Sequence, residues 1–119
     1  MNTALPFPSL HQEYLLWMNE LRFAVQELRI FDTYLGRVPN EAAGALRKQF
    51  SRHATAIDRL QLRLHGAELE RARFAREMSG MGLYSVRMED NAPLREAMLR
   101  FRDRHNEMKT TFRRFEAKK

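Results

Sequence analysis

Apolar residues recur at alternating spacings of three and four along three long stretches, and no other feature constrains the fold so tightly. The first stretch runs Leu10, Tyr14, Trp17, Leu21, Ala24, Leu28, Phe31, Leu35, Val38. The second runs Leu46, Phe50, His53, Ile57, Leu60, Leu64, Ala67, Arg71, Phe74, Met78, and the third Leu94, Met98, Phe101, His105, Met108, Phe112, Phe115. Such spacing holds one face of an α-helix toward a partner helix, as in a coiled-coil seam. The expected fold is all-α: an antiparallel bundle of three long helices, able to assemble into a larger bundle as a dimer.

Punctuation residues set the expected helix limits at about 9–38, 41–78 and 92–117, within one helical-bundle domain spanning 1–119. Ser9 and Gln12 have the spacing of a capping box. Pro39 stops the first helix and Asn40 is an N-cap candidate for the second, so the two form a hairpin. Gly80 and Gly82 stop the second helix. Gly66, inside it, marks a kink or a close helix contact. Residues 79–91 form a loop whose apolar centre, Leu83 to Met88, is expected to lie on the bundle. Asp90 or Asn91 caps the third helix, with Pro93 in its first turn. The second helix, at roughly 57 Å, outreaches partners of roughly 42 Å.

The 119 residues include no Cys. That excludes disulfides, thiolate zinc sites and thiol nucleophiles, and it is compatible with a reducing compartment. The first ten residues lack the basic and apolar parts of a secretory signal. No apolar run approaches the ~18 residues of a spanning helix. A cytoplasmic protein without membrane insertion is expected.

The first helix is apolar on two faces. Leu16, Phe23 and Ile30 recur every seven residues, roughly 160° from Tyr14, Leu21 and Leu28. Glu13, Glu20 and Glu27 separate the stripes on one side, as a solvated or salt-bridging series. Leu62 and Leu69 repeat the pattern more weakly on the second helix. A helix that is apolar on two faces has neighbours on both, so self-association through the first two helices is expected. The alternative is cover from the loop and the N-terminal arm, including Leu5 and Phe7. The outer face of the third helix reads as Arg95, Arg102, Asp103, Asn106, Lys109 and Arg113.

His53 and His105 hold seam places where apolar residues are expected. If the third helix ends flush with the Pro39 turn, they stand at one height; if it begins flush with Met78, His105 sits near His65, which points off the seam. A loop of this length accommodates either register. Facing histidines would bind a metal or form a polar layer that sets register. Metal sites in bundles also take carboxylates at Glu-x-x-His spacing, which is absent, so no metal or cofactor is expected. Arg71 on the seam is expected to snorkel or to pair with Glu68 or another acid near the bundle end.

The net charge is +6, and the excess sits late in the chain. Residues 9–38 sum to −1, 40–78 to +3, 79–91 to −1 and 92–119 to +5. Arg100, Arg102, Arg104, Arg113, Arg114, Lys118 and Lys119 are candidates for an acidic partner or nucleic-acid phosphates. Glu96, Asp103, Glu107 and Glu116 interrupt them, and the phenylalanines of this helix lie on the seam rather than outward for base stacking. Nucleic acid is therefore not favoured. Phosphate-loop, dinucleotide and nucleophile-elbow patterns are absent, and the four serines have no evident His–Asp partners, so no enzyme is expected.

Two runs carry a resemblance. W-x-x-E-L-x-F-x-x-x-E-L-x-x-F from Trp17 to Phe31, with F-x-x-x-x-x-x-I-D-x-L from Phe50 to Leu60, resembles a group of small, uncharacterised bacterial helical-bundle proteins. The resemblance implies a helical fold and transfers no functional residues. The resulting expectation is a non-enzymatic protein–protein interaction or scaffold module. The alternatives are a nucleic-acid or acidic-surface binder using the basic third helix, and a metal-binding bundle using the seam histidines.

Overall fold

The computed structural model describes residues 7–38, 40–80 and 91–118. Its elements are α1 (Phe7–Gly36), α2 (Glu41–Gly80) and α3 (Ala92–Ala117). They pack as an all-α bundle with extents of 64 × 26 × 16 Å. Among the described residues no helix is long and apolar enough to cross a membrane.

The three seams meet as the core. Leu21 and Met98 are completely inaccessible, and Leu10, Leu35, Ile57 and Leu64 are nearly so. Aromatic rings fill the end next to the α1–α2 turn. Phe112 of α3 stacks on Phe31 at 4.3 Å and takes the Tyr34 ring edge-on at 5.3 Å. Such ring pairs add about 0.5–1.5 kcal/mol each beyond their buried area. The opposite end is closed by polar groups. The buried Arg71 donates to Glu68 Oε1 at 2.5 Å, as its seam position suggested, and also to Asn91 Oδ1 at 2.6 Å. Asn91 Nδ2 in turn donates to Glu13 Oε1 at 2.9 Å. Those bonds leave the buried guanidinium matched by a carboxylate, which is what makes a charge at a seam position tolerable.

The α1–α2 hairpin follows the sequence closely. Arg37 and Val38 N–H groups turn back to Tyr34 and Leu35 carbonyls, and Asn40 Oδ1 accepts the Ala43 N–H at 2.7 Å as an N-cap. The antiparallel pairing then repeats along the hairpin, with Asp32 to Arg47 near the turn, Tyr14 to His65 further out, and His11 to Glu68 near the far end.

Three local expectations change. α1 starts at Phe7, two residues before the predicted Ser9 cap. Pro8 falls in its first turn, where a missing N–H leaves no bond unmade. Asn91 stands at the cap position of α3 but makes no side-chain cap bond, because its carboxamide is spent on Arg71 and Glu13. Gly66 meets no neighbour: a Cβ built there has nothing within 4 Å, so it is not a close helix contact. Asp90, the Leu83 to Met88 segment, Leu5 and the Phe7 side chain lie outside the described residues, and so does Lys119.

Candidate functional site

α3 lies in the groove of the hairpin, parallel to α1 and antiparallel to α2, and its two flanks differ in chemistry. On the α1 flank, Arg95 forks onto Glu13 at 2.8–2.9 Å and Arg102 forks onto Glu20 at 2.7 and 2.9 Å. Lys109 reaches Glu27 at 3.2 Å. Partners in the first two rungs are 82 residues apart, and Lys109 and Glu27 keep the same separation. Two parallel helices with the same seven-residue repeat must give this constancy. The ladder corrects the expected outer face of α3, because Arg95, Arg102 and Lys109 turn toward α1. Arg102 is thereby engaged by Glu20 rather than presented to an external anion.

The third rung continues into the core. Glu27 Oε1 lies 2.9 Å from His105 Nε2, and His105 Nδ1 lies 3.1 Å from His53 Nε2. His53 and His105 are 3% and 6% exposed. The Phe101 ring lies parallel to His53 at 5.8 Å and stacks against His105 at 5.5 Å. Of the two registers open to the sequence, α3 takes the one that brings His53 and His105 together.

The bond order follows from donor and acceptor counting. In either charge state His105 Nε2–H can donate to the Glu27 carboxylate; a neutral ring leaves its Nδ1 lone pair to accept from His53 Nε2–H, and a protonated ring donates Nδ1–H to His53 Nε2. His53 Nδ1 is then a buried nitrogen without a hydrogen-bond partner among the described residues. Burial pushes the His53 pKa down to about 4, with the charges of His105 and Arg104 adding to the effect. Burial raises the Glu27 pKa, but hydrogen bonds and charge from His105 and Lys109 outweigh it and hold that carboxyl below its ordinary value.

This chain of groups is arranged poorly for a metal. Glu27 and His53 use opposite nitrogens of the His105 ring, so they lie on opposite sides of it and do not converge on one point. Among the described residues no group of three or more His, Asp or Glu side chains is placed to hold an ion.

The α2 flank of α3 is a cleft of about 560 Å³. Ala56, Ile57, Leu60, Ala97 and Phe101 line it with apolar surface, His53 forms part of the wall, and Arg59, Arg63, Arg100 and Arg104 complete the lining. All four arginines are exposed. Among the described residues none of them has a carboxylate partner, and no acidic side chain lines the cleft. Arg100 and Arg104 were candidates on sequence grounds, whereas Arg59 and Arg63 were not. Their signal was present as Arg-x-x-x-Arg, 59–63 on α2 and 100–104 on α3, but it acquires meaning only when α2 and α3 are side by side. Arg113, Arg114 and Lys118 are exposed near the C-terminal end of α3, away from this cleft.

The second apolar stripe of α1 is on the surface. Leu16, Phe23 and Ile30 are 69%, 61% and 67% exposed. Phe23 forms one rim of the α1/α3 groove, across from Asn106. Leu99, also exposed, lies one heptad before Asn106 and so holds the same rim opposite Leu16. Leu62 and Leu69 are exposed too, but they lie on the back of α2, away from that groove.

Comparison with protein-family models, with curated proteins and with solved structures finds no match to this chain.

Proposed function

We propose that this protein is a non-enzymatic interaction module that self-associates through the exposed apolar stripe of α1, with Leu62 and Leu69 of α2 as a second, smaller contact. The observation that carries the reading is the exposure of Leu16, Phe23 and Ile30 at heptad spacing. Three large apolar side chains recur in register along one exposed line of the helix, unlike singly scattered surface leucines, and grouped apolar surface of this kind marks interaction sites. Leu99 extends the patch onto α3. The stripe from Leu16 to Ile30 covers about 21 Å of α1, so a stable contact of about 800 Å² per partner also draws in the polar residues that flank it and the smaller α2 contact at Leu62 and Leu69. A role as a cytoplasmic scaffold, and kinship with the small bacterial helical proteins resembled by Trp17–Phe31 and Phe50–Leu60, belong to the same proposal.

Light scattering coupled to size exclusion tests it. The wild-type chain is expected to run as a dimer or larger assembly at micromolar concentration. Leu16→Glu with Phe23→Glu is expected to run as a folded monomer, because both positions are exposed in the protomer and a buried carboxylate at the contact is costly. A wild-type monomer throughout the micromolar range would remove the reading.

A further inference from the structure

The arginine cleft between α2 and α3 has a composition that folding alone does not account for. Residues four apart on a helix face are neighbours, and like charges there are mildly destabilising. α2 and α3 each place such a pair, Arg59 with Arg63 and Arg100 with Arg104, on the walls of one cleft. Because the helices run antiparallel, Arg63 and Arg104 lie about one turn to either side of the Arg59–Arg100 level. The result is a short row of guanidinium groups along an apolar floor.

Each half of that arrangement selects ligand chemistry. A guanidinium offers parallel N–H donors that match the oxygens of a phosphate, and it stays charged at any physiological pH. No acidic group lines the cleft, so its four guanidinium groups have no anion among the lining residues to offset them. The floor is apolar and shallow, formed by the narrow exposed margins of Leu60 and Phe101, each 7% exposed, so it adds nothing for a bare inorganic ion and gives an attached apolar body a contact. The cleft volume of about 560 Å³ lies within the range of small-molecule sites, roughly 300–1,000 Å³, and exceeds what a phosphate group alone would fill.

We propose that the α2/α3 cleft binds a small phosphorylated organic molecule, with the phosphate held between Arg59 and Arg100 and its apolar body against Phe101 and Leu60. Arg63 and Arg104 supply flanking charge. This site is distinct from the α1 stripe and does not depend on self-association.

Titration calorimetry with naphthyl phosphate at moderate salt tests the proposal, with inorganic phosphate and uncharged naphthol as the two partial ligands. Naphthyl phosphate is expected to bind at least tenfold more tightly than either. Arg59→Gln with Arg100→Gln is expected to weaken it at least tenfold while leaving the helical circular dichroism unchanged, since both side chains are exposed. Arg113→Gln with Arg114→Gln, elsewhere on α3, is expected to leave binding intact. Three results would overturn the proposal. The first is no binding by the wild-type chain at millimolar naphthyl phosphate. The second is equal loss in the two double variants, which would mark diffuse attraction. The third is tighter binding of a short DNA duplex with the same Arg59 and Arg100 dependence, which would reassign the cleft to nucleic acid.

Discussion

The two flanks of α3 use the same cationic side chains to opposite ends. Toward α1, Arg95, Arg102 and Lys109 each meet a carboxylate one heptad apart from the next. Toward α2, Arg59, Arg63, Arg100 and Arg104 meet none among the described residues. The first flank is internally neutral and sets how the helices align. The second leaves its charge unmatched over an apolar floor, and so presents it outward. A count of Arg and Lys along α3 merges these two populations, whereas the partner helix separates them.

Charge matching on the α1 flank also has a mechanical consequence. Sliding α3 by one heptad would keep its apolar seam in contact with the hairpin, and the hydrophobic term alone would barely object. Such a slide would move His105 away from both His53 and Glu27, and it would leave an acid or a base without its partner at the ends of the ladder. Buried or half-buried polar partners are costly to leave unmade, so the polar set picks the register that the apolar set leaves open.

The contrast can be attacked first where the effect is largest, at the buried histidine chain. His53 is neutral in the fold, with its pKa lowered from 6.5 to about 4, so the unfolded chain binds the proton more readily. Its contribution to stability is complete above about pH 6.5, shrinks as pH falls, and is gone near pH 4, a change of about 3 kcal/mol. The lowered Glu27 acts with the same sign at more acidic pH, because protonating it removes the charge that His105 and Lys109 favour. Urea unfolding between pH 7 and 5, at fixed protein concentration, should show stability falling with pH. His53→Leu should flatten that slope while the exposed His11 and His65 remain. An equal slope in the variant would contradict the assignment.

The ladder comes next in size. A double-mutant cycle with Glu20→Gln and Arg102→Gln should return a favourable coupling of about 0.5–1 kcal/mol, since the pair is bidentate but more than a third exposed. The coupling should fade in high salt. Zero coupling at low salt would leave the apolar rims alone to align α1 with α3.

The smallest effect is expected on the α2 flank, and its sign is the informative part. Arg59→Gln removes a cation with no described partner from among three others. Stability should stay within about 0.5 kcal/mol of wild type or rise slightly. A clear loss of stability would mean that this arginine has a structural role and would erase the distinction between the flanks.

Much of the architecture was legible residue by residue. The three-and-four spacing is a local property of a helix with 3.6 residues per turn, so it needs no knowledge of partners. The Asn40 cap is likewise local; Pro39, the expected stop, lies outside the described residues, and α1 ends earlier, at Gly36. α1 begins at Phe7 rather than at the cap-like Ser9, because a proline fits the first turn of a helix and so does not stop it there. The destination of Glu13, Glu20 and Glu27 was open, since a series at seven-residue intervals fits a solvated face as well as a ladder. Arg59 and Arg63 carried no legible role, because neither is unusual on α2 considered alone.

Sequence alone therefore determined three helices, their seams, the hairpin turn and the second apolar stripe of α1, all consequences of periodicity within a single helix. Tertiary structure alone decided which of the two registers α3 adopts, that His53 meets His105 and Glu27, and which arginines are neutralised and which are left facing a cleft. The physical reason is that a heptad repeat looks the same after every shift of seven. Only polar groups on different helices, which must find one another across the bundle, distinguish one shift from the next.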